Sequence, residues 1–218
     1  MKITFVPGTK DIEDTVMFPQ PAKNFIPNWY KDIKAGKEFS NVKKCIPFLD
    51  SMSSGYIQMT WCDIDIVDEE DGLKVIFDSK VPLFSYREIS HMPVDNSFYN
   101  IEFVWQRPWS TFLPDGYSAL VVHPLNRVDL PFITLSGIVD FDKSIHAQIG
   151  NIPFYIKRGF TGNIPAGTPM FQIIPIKRED WQSENQEYSN LFWEKRIGER
   201  KGFADFYKKQ VWQKKSFE

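Results

Sequence analysis

The sequence predicts a mainly β domain of the sandwich kind, with a short helix near the N-terminus and a helical C-terminal tail. Three observations carry this. Between Leu113 and Ile176, short apolar runs (ALVV, PFITL, FQIIPI) alternate with turn clusters (PDG, NR, GN, TGNIPAGTP), the pattern of strands joined by tight connections. YNIEFVW at 99–105 is an apolar and aromatic run of strand length. After Ile176 the chain turns charged, with aromatics at roughly helical spacing. At 218 residues, 42% hydrophobic and 25% charged, one domain suffices. We expect a β core over about 40–176, an N-terminal arm over 1–39 and the helical tail over 177–218.

Taken in order, Met1 to Val6 alternates as an edge strand stopped by Pro7-Gly8. Residues 11–27 carry Pro19, Pro21 and Pro27 and should lie extended over the domain, because proline fixes φ and lacks a donor. Asn28 is placed to cap a short helix whose Trp29 and Ile33 share a face, ended by Gly36. Cys45 to Asp50 reads as a buried loop and the serines that follow as a turn. Tyr56 to Val67 and Leu73 to Phe77 read as strands around an acidic hairpin turn, Asp68-Glu69-Glu70-Asp71-Gly72. Gln106-Arg107-Pro108-Trp109 turns the chain after the 99–105 strand. In the central stretch, Ala119, Val121, Ile133, Leu135, Ile138, Phe171 and Ile173 are the expected core. In the tail, Phe203, Phe206, Tyr207 and Trp212 suggest a subunit contact, and with it a homo-oligomer, dimer or trimer.

Composition excludes several functions. A net charge of -2 and a pI near 6.0 argue against a general electrostatic grip on nucleic acid. No apolar run approaches the ~20 residues that span a bilayer. The first residues, MKITFVPGTK, lack a signal-peptide core, so a cytoplasmic protein is expected, with Cys45 and Cys62 as unbridged thiols. His91, His123 and His146 fit no metal-ligand spacing, so no metal site is assigned. There is no G-x-S-x-G elbow, and Gly159 to Asn163 lacks a phosphate-loop lysine. The remaining candidate is Arg107, held between Trp105 and Trp109 and restricted by Pro108 to an extended conformation. With His123 and Arg127 at the ends of successive predicted strands, it should line one concavity for a small anionic ligand such as phosphate or a carboxylate, with an indole within cation–π reach. The alternative is that both tryptophans plug the core.

Gly116, Pro124 with Arg127, Gly137-Ile138-Val139-Asp140-Phe141-Asp142 and Ile164-Pro165-Ala166-Gly167-Thr168-Pro169-Met170-Phe171-Gln172-Ile173-Ile174 together resemble the central block of trimeric dUTPases. The resemblance covers about residues 113–176. It implies a jelly-roll, dUTPase-like β sandwich and trimers, with Asp140 as the carboxylate that activates water and Gln172 as a phosphate ligand. The pattern departs from that family in having no serine in the 123–127 loop, Lys143 where a tyrosine belongs, Ile145 where a glycine belongs, and no glycine-serine lid in 177–218. Over most of the chain, PAKNFIPNWYKDI, KKCIPFLDSMSSGY, GYSALVVHPLNR and IPAGTPMFQIIPIKREDW resemble an uncharacterised family, of unknown function, found in cyanophage and bacterial genomes. That implies a phage-related protein in the host cytoplasm and brings no chemistry or cofactor with it.

Two functions follow. The first is a non-catalytic binding or structural protein. The second is a nucleotide or small-metabolite hydrolase in which Asp140 activates water, Arg127 and Gln172 hold the substrate, and substrate phosphates carry any metal.

Overall fold

The computed structural model describes residues 1–34, 41–69, 72–87, 94–143, 151–202 and 206–218. His91, His146, Ile145 and Phe203 lie outside them. The mainly β architecture expected from the sequence is present. Fourteen strands are described: β1 (Thr4–Pro7), β2 (Gln20–Pro21), β3 (Tyr56–Met59), β4 (Ile64–Glu69), β5 (Gly72–Phe77), β6 (Phe84–Arg87), β7 (Glu102–Trp105), β8 (Trp109–Phe112), β9 (Tyr117–Val122), β10 (Phe132–Thr134), β11 (Gly137–Val139), β12 (Ile152–Ile156), β13 (Gly162–Ile164) and β14 (Pro169–Lys177). The α-helices are α1 (Lys10–Thr15), α2 (Asn28–Lys31), α3 (Ile46–Ser53) and α4 (Asn190–Gly202).

All strand pairing in the named sheets is antiparallel. One sheet runs β11-β9-β14-β3-β2 and another β10-β12-β7-β6, while β13-β4-β5 and the β1-β8 pair complete the body. The three larger sheets share one apolar cluster. It takes Ala119, Val121, Phe171 and Ile173 from the first sheet, Phe103, Trp105, Phe132 and Phe154 from the second, and Ile64, Ile66 and Ile164 from the third. At its centre the Trp105 and Phe154 rings stack 3.5 Å apart and 6° from parallel. The Trp105 indole donates to Thr134 Oγ1 (3.1 Å), which in turn donates to the Met170 carbonyl (2.7 Å). The indole N–H and the threonine hydroxyl in the middle of the sandwich thus both have bonding partners, which offsets their desolvation.

Thr134 also explains one departure from the sequence reading. Ala119, Val121, Phe171 and Ile173 are buried as expected, Leu135 is half-buried, and Ile133 and Ile138 are exposed at 37% and 67%. PFITL is apolar almost throughout, so alternation could not decide its phase. Phe132 and Thr134 take the inward positions and Ile133 faces out.

Residues 45–50 are not a loop. Cys45 precedes α3, and Pro47 sits in its first turn, where a fixed φ suits a helix start. The serines continue that helix: Ser51, Ser53 and Ser54 hydroxyls donate back to the carbonyls of Phe48, Leu49 and Asp50. The following residue, Gly55, has φ +69°, and a Cβ there would lie 2.1 Å from the Ile173 carbonyl oxygen, so only glycine fits. Asn28 begins α2 but makes no capping bond, because Pro27 occupies the cap position. Cys45 is exposed and Cys62 half-buried, both as thiols.

The tail runs differently. From Lys177 to Glu199 every residue but Ile197 is exposed, including Trp181 (84%), Tyr188 (77%), Leu191 (79%) and Phe192 (69%). The chain returns to the body at its last residues. Trp212 Nε1 and Lys215 Nζ donate to Asp50 Oδ2 (2.9 and 2.8 Å), and Phe217 meets Tyr56 edge-on at 6.1 Å. Among the described residues no helix is long and apolar enough to cross a membrane.

Candidate functional site

The five residues singled out from the sequence fall in three places. Arg127, His123 and Gln172 belong to one closed network around the loop after β9. Gln172, on β14 and 1% exposed, accepts from Leu125 N at 2.9 Å and donates to the carbonyls of Ser51 (3.0 Å) and Ser54 (2.5 Å). His123 Nδ1 accepts from Thr134 N (3.2 Å), so Nε2 carries the proton and donates to the Arg127 carbonyl (3.0 Å). Burial pushes the His123 pKa below its ordinary value, in keeping with a neutral ring. Arg127 grips Asp129 through Nε (2.9 Å) and Nη2 (2.9 Å) and also donates to the Phe25 carbonyl at 3.3 Å. Burial acts to raise the Asp129 pKa, but the guanidinium bonds outweigh it and the net shift is downward. The space between Arg127, Gln172 and their neighbours amounts to only about 10 Å³.

Asp140 lies elsewhere, after β11 at the far edge of the five-stranded sheet. Its Oδ1 accepts from Ser118 Oγ (2.5 Å) and from Arg178 Nη1 (3.2 Å). Arg178 also grips Asp142 through both terminal nitrogens and donates to the Tyr117 carbonyl at 2.9 Å. Gly116 N donates to Asp142 Oδ2 at 2.8 Å. The Arg178 bond holds the Asp142 carboxyl well below the usual carboxylate range. The sequence reading passed over Arg178. The only signal was the Asp-x-Asp spacing, which puts two carboxylates on one side of the chain and calls for a cation, without naming it.

Arg107 stands apart from both networks, in the turn between β7 and β8. Trp105 (0% exposed) and Trp109 (9%) on either side point inward, and Trp109 Nε1 donates to the Val16 carbonyl at 3.1 Å. The guanidinium lies 4.9 Å from the centre of the Phe141 ring, so a phenyl ring rather than an indole carries the cation–π contact. Burial pushes the Arg107 pKa down to about 10, which leaves it cationic at neutral pH. Beside it lies a cavity of about 170 Å³ between the ends of the two main sheets. Its walls are Val121 and Val139 from one sheet, Ile152 and Pro153 from the other, and Leu135 from the bend between β10 and β11. Ser136 and Asn151 add the other polar side chains at its edge. An apolar cavity of roughly 150 Å³ holds a benzene ring. This one therefore has room for a ring-sized organic molecule with its charged end at Arg107. Among the described residues no group of three or more histidines, cysteines or carboxylates is placed to hold a metal ion.

No family model matches this chain, and no curated protein matches it either. Two solved structures that are similar to it are phage dUTPases. One, from phage phi11 of S. aureus, was determined for the coordination of a structural Mg(II) ion; it is 10% identical, covering 87% of this chain and 99% of that one, with a TM-score of 0.38. The other, from Staphylococcus bacteriophage 80alpha with bound dUpNHpp, is 9% identical, covering 87% and 90%, with a TM-score of 0.37. At these scores the likeness transfers no chemistry to this chain.

Proposed function

We propose that this protein binds a small organic anion without transforming it, in the cavity beside Arg107. The observation that carries this reading is the placing of a desolvated guanidinium at the wall of a cavity lined mostly by aliphatic side chains. A cation in such surroundings attracts an anion more strongly than it would in water. Its cation–π contact with Phe141 helps to hold it in position, and its planar fork favours a carboxylate or phosphate oxygen pair. The volume admits a ring or a short aliphatic body. Hydrolysis through Asp140 has less support, because its Oδ1 already serves Ser118 and Arg178 and neither Arg127 nor Gln172 shares its surroundings.

A thermal-shift titration with benzoate, short aliphatic carboxylates, inorganic phosphate and dUMP tests the proposal. At a concentration 100-fold above its dissociation constant, a ligand adds about 2.7 kcal/mol of stability, a rise of roughly 5–10 °C for a chain of this size. The rise should be lost in Arg107→Ala and reduced in Arg107→Lys, which keeps the charge but not the fork. No shift with any anion, or an equal shift in Arg107→Ala, overturns it.

A further inference from the structure

We propose that this chain self-associates by seating the acidic, aromatic segment 179–188 of one copy in the lysine-lined cleft of a second. The segment, EDWQSENQEY, holds four carboxylates (Glu179, Asp180, Glu184 and Glu187) and no lysine or arginine. Trp181 and Tyr188 stand on it at 84% and 77% exposure, and Leu191 and Phe192 continue the apolar surface at 79% and 69%. A run of large apolar side chains left in water marks a contact surface. Arg178 at its start is tied to Asp140 and Asp142, and the segment leads from there into α4, so it leaves the body from a fixed point.

The cleft has the opposite character. It lies between the start of α3 and the helical turn that begins at Tyr207, has a volume of about 440 Å³, and carries Lys43, Lys44 and Lys208 over Ile46, Pro47 and Tyr207. No acidic side chain lines it among the described residues. Lys43 Nζ is held by the carbonyls of Tyr30 (2.7 Å) and Lys31 (3.0 Å), so one of the cations is fixed in place. Carboxylates meeting these ammonium groups, and indole and phenol rings meeting Tyr207, Ile46 and Pro47, satisfy both surfaces at once. Aromatic side chains bring about 150–250 Å² each. Trp181, Tyr188 and Phe192 are exposed enough to bury much of that area each, and a reciprocal exchange counts it twice, which reaches the roughly 1,200 Å² where specific interfaces begin. One molecule carries both halves, so two copies can exchange segments reciprocally, which closes the assembly as a symmetric dimer.

Sedimentation velocity over a concentration series tests this with the full chain. At low salt the mass should rise above 25.5 kDa with concentration, and about 0.5 M salt should return it toward that value by screening. Trp181→Ala with Tyr188→Ala removes the segment's anchors, and Lys44→Glu with Lys208→Glu reverses the cleft. Each double variant should dissociate at least tenfold more readily than wild type. Mixed together they should regain a heavier species, because one retains the cleft and the other the segment. Circular dichroism checks that both fold, and the single Lys208→Glu change repeats the cleft test at an exposed position. A wild type that stays at 25.5 kDa throughout overturns the proposal. So do folded variants that associate like wild type, or a mixture of them that stays monomeric.

Discussion

Two regions of the sandwich hold polar side chains that stand out in the sequence, and they use them in opposite ways. Around Gln172, hydrogen-bonding capacity is turned inward. The carboxamide ties α3 to the loop after β9, His123 uses both ring nitrogens on the backbone, and Arg127 spans Asp129 and the Phe25 carbonyl. What remains between them is about 10 Å³. Around Arg107, a guanidinium lies over a phenyl ring and borders about 170 Å³ with mostly aliphatic walls. Burial and polarity are common to both. The difference is the volume left beside the polar groups: the first region fills its own space, and the second leaves room for a ligand.

The sharpest way to break this comparison is Gln172→Ala. If the network is structural, the change strands Leu125 N and two serine carbonyls and costs roughly 2–4 kcal/mol. Urea unfolding measures it, and a loss below about 1 kcal/mol would return Gln172 to the list of ligand residues. Next comes the pH dependence of His123. Its folded pKa lies below the unfolded value, so the unfolded chain takes up the proton first as pH falls. Stability should be full above about 6.5 and decline as pH drops below it toward the folded value. His123→Gln should flatten that slope in unfolding curves between about pH 7 and 5. A different readout applies at the other region: Arg107→Ala should remove the added thermal stability that a bound anion confers on the wild type. The smallest belongs to the outward face of the sheets. Ile138→Thr should shift the unfolding free energy by no more than about 0.5 kcal/mol, and a loss of several would mean that something covers it.

Much of the fold was legible because it rests on local patterns. Turn clusters bracket β9, β10 and β14, the acidic hairpin joins β4 and β5, and the change of character after Ile176 marks the tail. What escaped was decided at long range. The phase of β10 follows from Thr134 bridging the Trp105 indole and the Met170 carbonyl, partners 29 and 36 residues away. Serines at 51–54 looked like a turn and instead bond back along a helix. In the site, Trp105-Gln106-Arg107-Pro108-Trp109 pointed to Arg107 by composition alone. The ring beneath it, Phe141, and the cavity walls from three separate strands and a bend carry no joint signature along the chain. Arg178 went unseen because its carboxylate partners lie 36 and 38 residues before it.

The anchoring of Trp212 and Lys215 on Asp50 has a consequence for limited proteolysis. In the dissociated chain residues 178–189 are exposed and have neither helix nor strand, so at low protein concentration a protease should cut there first. Yet the piece released from the peptide bond remains fastened through Asp50, and through Phe217 against Tyr56. A nicked sample should therefore migrate as one particle on a native gel and as two polypeptides under denaturing conditions. Asp50→Ala, which removes the acceptor for both the indole and the ammonium, should let the smaller polypeptide wash away.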